Sequence, residues 1–233
     1  MIRHPGRGKT HKERLENFYG DQAEGYDSFR ARMLHGRSEL IQSIDFPEGG
    51  TWVDVGAGTG ENVQHLGDRV QSLSAIHLID LSESLLEIAD ARIQREGWTN
   101  VTTHNEDATR FALAPGSADV VTFSYSLTMI PDWFESIMLA QQMLRPGGVI
   151  GITDFYVSRK HPSDGHRKHG WLRSNFWRNW FATDNVYLNG DIPAMLHRRF
   201  EVQQFEERYG KVPYVPFVRA PYYLFIGRRP DTD

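Results

Sequence analysis

The chain has 233 residues, 39% hydrophobic and 24% charged, with a formal net charge of −4 and no cysteine. That length fits one α/β domain with an added lobe, large enough to bury a core without covalent staples. The missing cysteine excludes disulfides, thiolate metal sites and cysteine nucleophiles; the histidines show no His-Glu-x-x-His spacing, and the acidic balance argues against a general nucleic-acid binder, whose phosphate affinity needs concentrated Lys and Arg.

The charge is unevenly spread. Arg3, Arg7, Lys9, Lys12 and Arg14 face only Glu13 in residues 1–14, and Arg159, Lys160, Arg167, Lys168, Arg173 and Arg178 face only Asp164 in residues 159–180. Two basic segments on an acidic chain predict a directional electrostatic face. No run approaches the roughly 18 apolar residues of a spanning helix, and the first 14 residues lack the apolar stretch of a secretory signal. The sequence therefore predicts a cytoplasmic location.

In chain order, residues 11–46 read as one or two helices, broken near Gly20–Gly25, with Met33, Leu34, Leu40, Ile41 and Ile44 at roughly helical spacing. Residues 47–50 form a turn. Thr51–Val55 is a strand running into a glycine loop, and Val63, Leu66 and Val70 mark the helix after it. A second buried strand, Ala75–Ile79, ends at Asp80; Ser82 is placed to cap the helix of Leu85, Leu86, Ile88 and Ala89. Val101–Thr103 and Ala118–Phe123 are the third and fourth strands. A helix from Pro131 to Leu144 leads through the turn at residues 145–148 into a fifth strand, Val149–Thr153. Alternating strands and helices imply a parallel sheet covered on both faces. Residues 156–200 break the rhythm and read as an insertion. Phe200–Glu206 and Tyr222–Arg228 predict a terminal antiparallel hairpin.

Strand, then Gly56-x-Gly58-x-Gly60, then helix is a geometry for holding a ligand against bare backbone, because glycine leaves no Cβ in the way. Asp80 lies 20 residues beyond Gly60, at the end of the next strand, where an acid chelates ribose hydroxyls in doubly wound folds. Asp107, after the third strand, is placed for an adenine amino group, or is a solvated loop acid. Dinucleotide enzymes share the first two features. Three details favour S-adenosylmethionine: Asp54 precedes a G-x-G-x-G loop, an acid follows strand three, and the chain closes on an antiparallel strand.

Together these resemble the class I methyltransferases over residues 51–155 at least. The resemblance implies a Rossmann-like fold: a mostly parallel seven-stranded sheet with a terminal antiparallel strand, N-terminal helices and an inserted helical lobe. On that reading residues 1–46 are a helical cap, 47–155 the cofactor core, 156–200 a substrate and membrane lobe, and 201–233 the hairpin. The implied cofactor contacts are Asp54, Gly56, Ala57, Gly58, Thr59 and Gly60, with Asp80 and Leu81 at the ribose, Asp107 and Ala108 at adenine, and Ser124 nearby. Tyr19 and Tyr26 match aromatics that close over the cofactor in small-molecule methyltransferases, or else pack helices. No metal is expected.

A narrower resemblance lies in residues 52–62, Tyr125-Ser126-Leu127-Thr128-Met129-Ile130-Pro131, Asp154-Phe155-Tyr156-Val157-Ser158, Phe176-Trp177-Arg178, Asp184-Asn185, and residues 212–216 with 219–223. These blocks are similar to the betaine-lipid synthase N-methyltransferases of the bacterial BtaB type and run through the insertion and tail. The likeness implies three successive N-methylations of diacylglyceryl-homoserine to the trimethylated betaine lipid. A separate aminocarboxypropyl transferase would then supply the substrate. The alternatives are N-methylation of a soluble amine of the phosphoethanolamine or glycine type, and a silent cofactor binder.

Such chemistry wants aromatic faces and acids around the nitrogen. Tyr125 and Tyr156 follow strands four and five, with Asp132 and Asp154 the nearest acids. A homoserine carboxylate calls for a guanidinium, Arg219 or Arg178, with Tyr222 and Tyr223 beside it. Leu172, Phe176 and Trp180 at i, i+4 and i+8, next to Trp177 and Phe181 and bordered by arginines, suit a helix lying on anionic lipid; the same spacing also suits core. The expectation is peripheral membrane association with a lipid substrate at the surface and no nucleic-acid partner.

Overall fold

The computed structural model describes Thr10, Glu13, Glu16, residues 32–215 and residues 217–231. Seven strands form one sheet: β1 (Thr51–Val55), β2 (Ala75–Asp80), β3 (Val101–Asn105), β4 (Ala118–Ser124), β5 (Leu144–Phe155), β6 (Glu201–Lys211) and β7 (Arg219–Arg228). Their order is β3-β2-β1-β4-β5-β7-β6. The first five pair in parallel, and β7 inserts antiparallel between β5 and β6. The expected mixed sheet and terminal hairpin are both present.

The central strands are buried on both faces, which is why β1 reads as a nearly continuous apolar run. Side chains alternate along it. Trp52 packs with Leu40 and Ile41 from helix α1 (Arg37–Ser43), with Ile44 just past its end, and with Val63 and Leu66 from the segment after the glycine loop. Val53 and Val55 face Ile137, Ala140, Ile192 and Leu196 on the other side. Those residues belong to α4 (Trp133–Met143) and α6 (Asp191–Arg199); the fold also contains α2 (Glu61–Gln64), α3 (Glu83–Glu96) and α5 (Trp171–Ala182). Among the described residues no helix is long and apolar enough to cross a membrane.

Three local expectations are corrected. Val63, Leu66 and Val70 are all buried, but they do not share one helix. α2 lasts four residues, Gly67 takes φ +58°, and a 3-10 turn follows at Gly67–Ser72. Ser82 occupies the N-cap of α3 without capping it. Its hydroxyl instead donates to the Glu16 carboxylate at 3.0 Å, and Glu16 accepts the Ser84 amide at 3.2 Å, so a remote acid serves the helix end. Residues 145–148 lie inside β5, where Leu144 still pairs with Ala118 before a register shift. The insertion folds as α5 and α6. Tyr19 and Tyr26 lie outside the described residues.

Candidate active site

The C-terminal ends of β1, β2 and β4 open onto a cavity of about 190 Å³. This is the rim where ligands bind in open α/β sheets. Gly56 forms its floor: the backbone has φ +72°, and a Cβ there would lie 2.3 Å from Ser126 Cβ. Only glycine permits both that conformation and that approach.

Asp80 reaches the cavity from the end of β2. From the sequence its carboxylate has no visible partner; in the fold, Oδ2 accepts the Gly58 amide at 2.8 Å and Oδ1 the Ser82 amide at 2.9 Å. The acid therefore ties the glycine loop to the start of α3. Asp107 and Ala108 line the same cavity one strand further on, with Asp107 Oδ1 accepting both the amide and the hydroxyl of Thr109 at 2.9 and 2.7 Å. Ile79, Leu81, Leu85, Met129, Ile130 and Pro131 supply the cavity's apolar lining. Two acids at adjacent strand ends, a bare-backbone floor and apolar walls fit S-adenosylmethionine. Asp132 and Tyr125 stand on the cavity wall as well.

Asp54, expected as a cofactor contact, is fully buried and faces away from the cavity, because it shares the Trp52 face of β1. It accepts from Thr122 Oγ1 at 2.6 Å and from Asn62 Nδ2 at 2.9 Å. Trp52 Nε1 donates to the same Thr122 hydroxyl, and Arg37 Nε donates to Asn62. Burial pushes the Asp54 carboxyl up from its usual value, against the pull of the Thr122 and Asn62 hydrogen bonds. This chain of contacts holds the glycine loop from behind. Ala57 and Thr59 are buried, Thr59 O accepting from Arg92 at 2.7 Å, and Gly60 starts α2 with φ +70°. Ser124 is buried at the end of β4, its hydroxyl without a hydrogen-bond partner among the described residues.

Tyr125 adopts φ +56°, rare outside glycine, and its hydroxyl donates to His35 O at 2.7 Å. Burial and the nearby Asp154 push its ionisation well above the ordinary value. Asp154 is itself fully buried beneath the loop that carries Tyr125. It accepts the Thr128 amide (3.1 Å), the Thr128 hydroxyl (2.8 Å) and the Phe155 amide (2.8 Å). Burial outweighs these bonds and raises its pKa to about 7.

The remaining expected residues sit elsewhere. Tyr156 opens onto a separate cavity of about 440 Å³ beside α6, with Trp133, His166, His197 and Glu207. Its hydroxyl donates to Glu207 at 2.7 Å. Tyr222 and Tyr223 point to opposite faces of β7: Tyr222 packs in the aromatic cluster under α5, and Tyr223 is fully buried against Tyr156. Arg178 and Arg219 are exposed, Arg219 on a surface groove beside α5 rather than in the cavity. Residue types alone left out Arg37, Glu106 and Ser126. Ser126 was within reach, since it lies in the block from Tyr125 to Pro131.

Residues 53–148 match the methyltransferase domain family. The sheet order and the cavity at its strand ends are those of the class I methyltransferase fold, and those residues are similar to methyltransferase domains. Demethylmenaquinone methyltransferase of Lactococcus lactis subsp. lactis (strain IL1403) is 27% identical over 160 residues, covering 66% of this chain and 62% of that protein. The chain thus spans less than two thirds of that relative. Arsenite methyltransferase of Aquipseudomonas alcaligenes is 28% identical over 115 residues, 46% of this chain and 33% of that one. Among solved structures, phosphoethanolamine N-methyltransferase 2 of Haemonchus contortus in complex with S-adenosyl-L-methionine superposes with a TM-score of 0.73 at 16% identity, over 96% of this chain and 60% of that chain. The [4+2]-cyclase SpnF gives 0.69 at 16% identity, over 95% and 96%. At such identities the likeness establishes the fold. A cyclase shares it, so the acceptor must be argued from this chain's own residues.

Proposed function

We propose that this chain N-methylates a lipid-borne amine, converting diacylglyceryl-homoserine to the trimethylated betaine lipid in three successive transfers. One observation carries the reading. Tyr125, on the wall of the cofactor cavity, belongs to an aromatic-apolar cluster that continues through Phe155, Phe181 and Trp177 to α5, where Leu172 and Phe176 lie exposed. The exposed apolar face of α5, at the outer edge of this packed cluster, suits an acceptor with acyl chains. A soluble amine has no use for it.

When bound, S-adenosylmethionine supplies an electrophilic methyl group for in-line displacement by the neutral amine. Asp80 and Asp107 hold the ribose and base, and Gly56 leaves room for the methionine part. Positioning supplies most of the acceleration in such a displacement. The Tyr125 ring and the Asp132 carboxylate offer a face and a charge for the ammonium that grows with each transfer. Each of the first two products loses one proton before the next attack; the third retains a fixed charge. The homoserine carboxylate is carried on the same carbon as the reacting amine, so Arg219 and Arg178, which lie at the surface, do not serve it. On this reading a separate aminocarboxypropyl transferase supplies the substrate, and the protein works peripherally at a membrane.

The test is incubation with S-adenosylmethionine and diacylglyceryl-homoserine in mixed micelles. Mono-, di- and trimethylated lipids are expected in sequence by mass spectrometry. Methylation of phosphoethanolamine or glycine alone would overturn the proposal.

A further inference from the structure

The tip of the β6–β7 hairpin holds two aromatic residues in left-handed backbone, of which Tyr214 accepts a hydrogen bond from Arg32 Nη1 at 3.2 Å. Tyr214 and Phe217 take φ +65° and +66°. Left-handed backbone at a bulky residue is strained and persists where the surroundings impose it. Here the surroundings are main chain: Val212 N donates to Val218 O, and Val218 N to Val215 O. At Phe217 the strain yields no burial in return, since the residue is 103% exposed. Strained backbone that presents apolar rings to solvent indicates a ligand outside the chain.

The tip does not stand alone. Phe217 and Arg219 share a groove with Leu172, Arg173 and Phe176 of α5. Trp171 and Leu172 are 75% and 76% exposed, and Phe176 is 48% exposed. The opposite side of α5 (Ser174, Trp177 and Phe181) is buried, so the helix is held with its second apolar side outward. Contiguous exposed apolar surface rimmed by polar residues marks an interaction site.

The charge around the patch selects the partner. No acid occurs between Asp164 and Asp184, a stretch containing Arg167, Lys168, Arg173 and Arg178, and none occurs from Lys211 to Pro221. An apolar groove lined by Arg173 and Arg219 and by no acid complements a bilayer with anionic headgroups.

We propose that α5 and the hairpin tip together form one membrane-interface anchor. Leu172, Phe176 and Phe217 enter the acyl boundary, and Arg173, Arg178 and Arg219 meet the phosphates. The proposal rests on and deepens the lipid-acceptor reading, because the anchor would set the exposed apolar face of α5 against the bilayer that holds such an acceptor.

The experiment is sedimentation of the full chain with phosphatidylcholine vesicles, with and without phosphatidylglycerol. The parent is expected to bind the anionic vesicles, less so as salt rises. Phe217→Ser should weaken that binding by about tenfold, as should Leu172→Ser, with melting temperature and cofactor affinity unchanged. A Phe217→Ser protein that partitions like the parent overturns the anchor. So does a parent that ignores both vesicles or dimerises through the patch in ultracentrifugation. Vesicle binding without lipid methylation would refute the acceptor and leave the anchor standing; lipid methylation in micelles with parent-like binding of Phe217→Ser would do the reverse.

Discussion

The Tyr125 hydroxyl donates to the backbone carbonyl of His35 across 2.7 Å, joining the end of β4 to the segment that precedes α1. His35 is gripped from the other side as well. Its ring stacks on Tyr222 at 6.0 Å, and its Nε2 lies 2.9 Å from Lys211 O. One tyrosine thus couples the cofactor cavity, the N-terminal approach and the hairpin. Tyr125→Phe leaves the His35 carbonyl without that donor in a half-buried place. A net loss of about 1 kcal/mol is expected, seen as a fall of about 2–4 °C in melting temperature. An unchanged melting temperature would show that the bond is not formed in solution.

Asp80 holds the loop through Gly58 and Ser82, and its proposed second part is to meet a ribose in the cavity it lines. Asp80→Ala removes both. Each charge-assisted hydrogen bond is worth about 1.5–3 kcal/mol, so cofactor affinity measured by calorimetry should fall at least about tenfold. Retained affinity in a folded Asp80→Ala protein would remove the residue from the site.

The parallel strands were legible because burial on both faces writes near-continuous apolar runs, and the position of Asp80 followed from the fixed length of a strand–loop–helix unit. Other features depended on partners far away in sequence. Nothing near Ser82 announces that Glu16 serves the end of α3. Asp54 stands in the motif, yet strand alternation turns it from the cavity toward Thr122. Arg37 reaches the site's support through Asn62 and Glu61, at separations of 25 and 24 residues. The stripe on α5 was ambiguous because helical spacing marks an apolar face without saying what covers it. The fold buries Trp177 and Phe181 and leaves Leu172 and Phe176 outside.

Asp154 predicts a pH effect of defined sign. Its pKa rises from the usual 3.8 to about 7 because burial disfavours the carboxylate. A carboxyl that holds its proton more tightly when folded stabilises the fold fully below the unfolded value. That contribution is lost as pH rises towards 7, at no more than about 1.4 kcal/mol per pH unit. Unfolding free energies from pH 4 to 7 should therefore contain a downward component that Asp154→Asn lacks. The variant will be less stable throughout, since an amide cannot accept every bond from Thr128 and Phe155. The slope is the readout, and equal slopes would mean that Asp154 does not titrate in this window.

The floor of the cavity gives a prediction with an internal control. A Cβ at Gly56 would meet Ser126 Cβ at 2.3 Å, and Gly56 also has φ +72°. Gly56→Ala therefore carries two penalties, a collision and left-handed backbone at about 1–2 kcal/mol. Removing the Ser126 side chain relieves only the first. Ser126→Gly alone loses the hydroxyl's bond to Val55 O at 2.8 Å and should be mildly destabilised. Combined with Gly56→Ala, it should restore part of the stability and cofactor affinity that the alanine removes. A double-mutant cycle isolates that coupling, because the residues touch. Strictly additive losses would mean that the loop has moved away from Ser126 in solution, and the cavity floor would have to be redrawn.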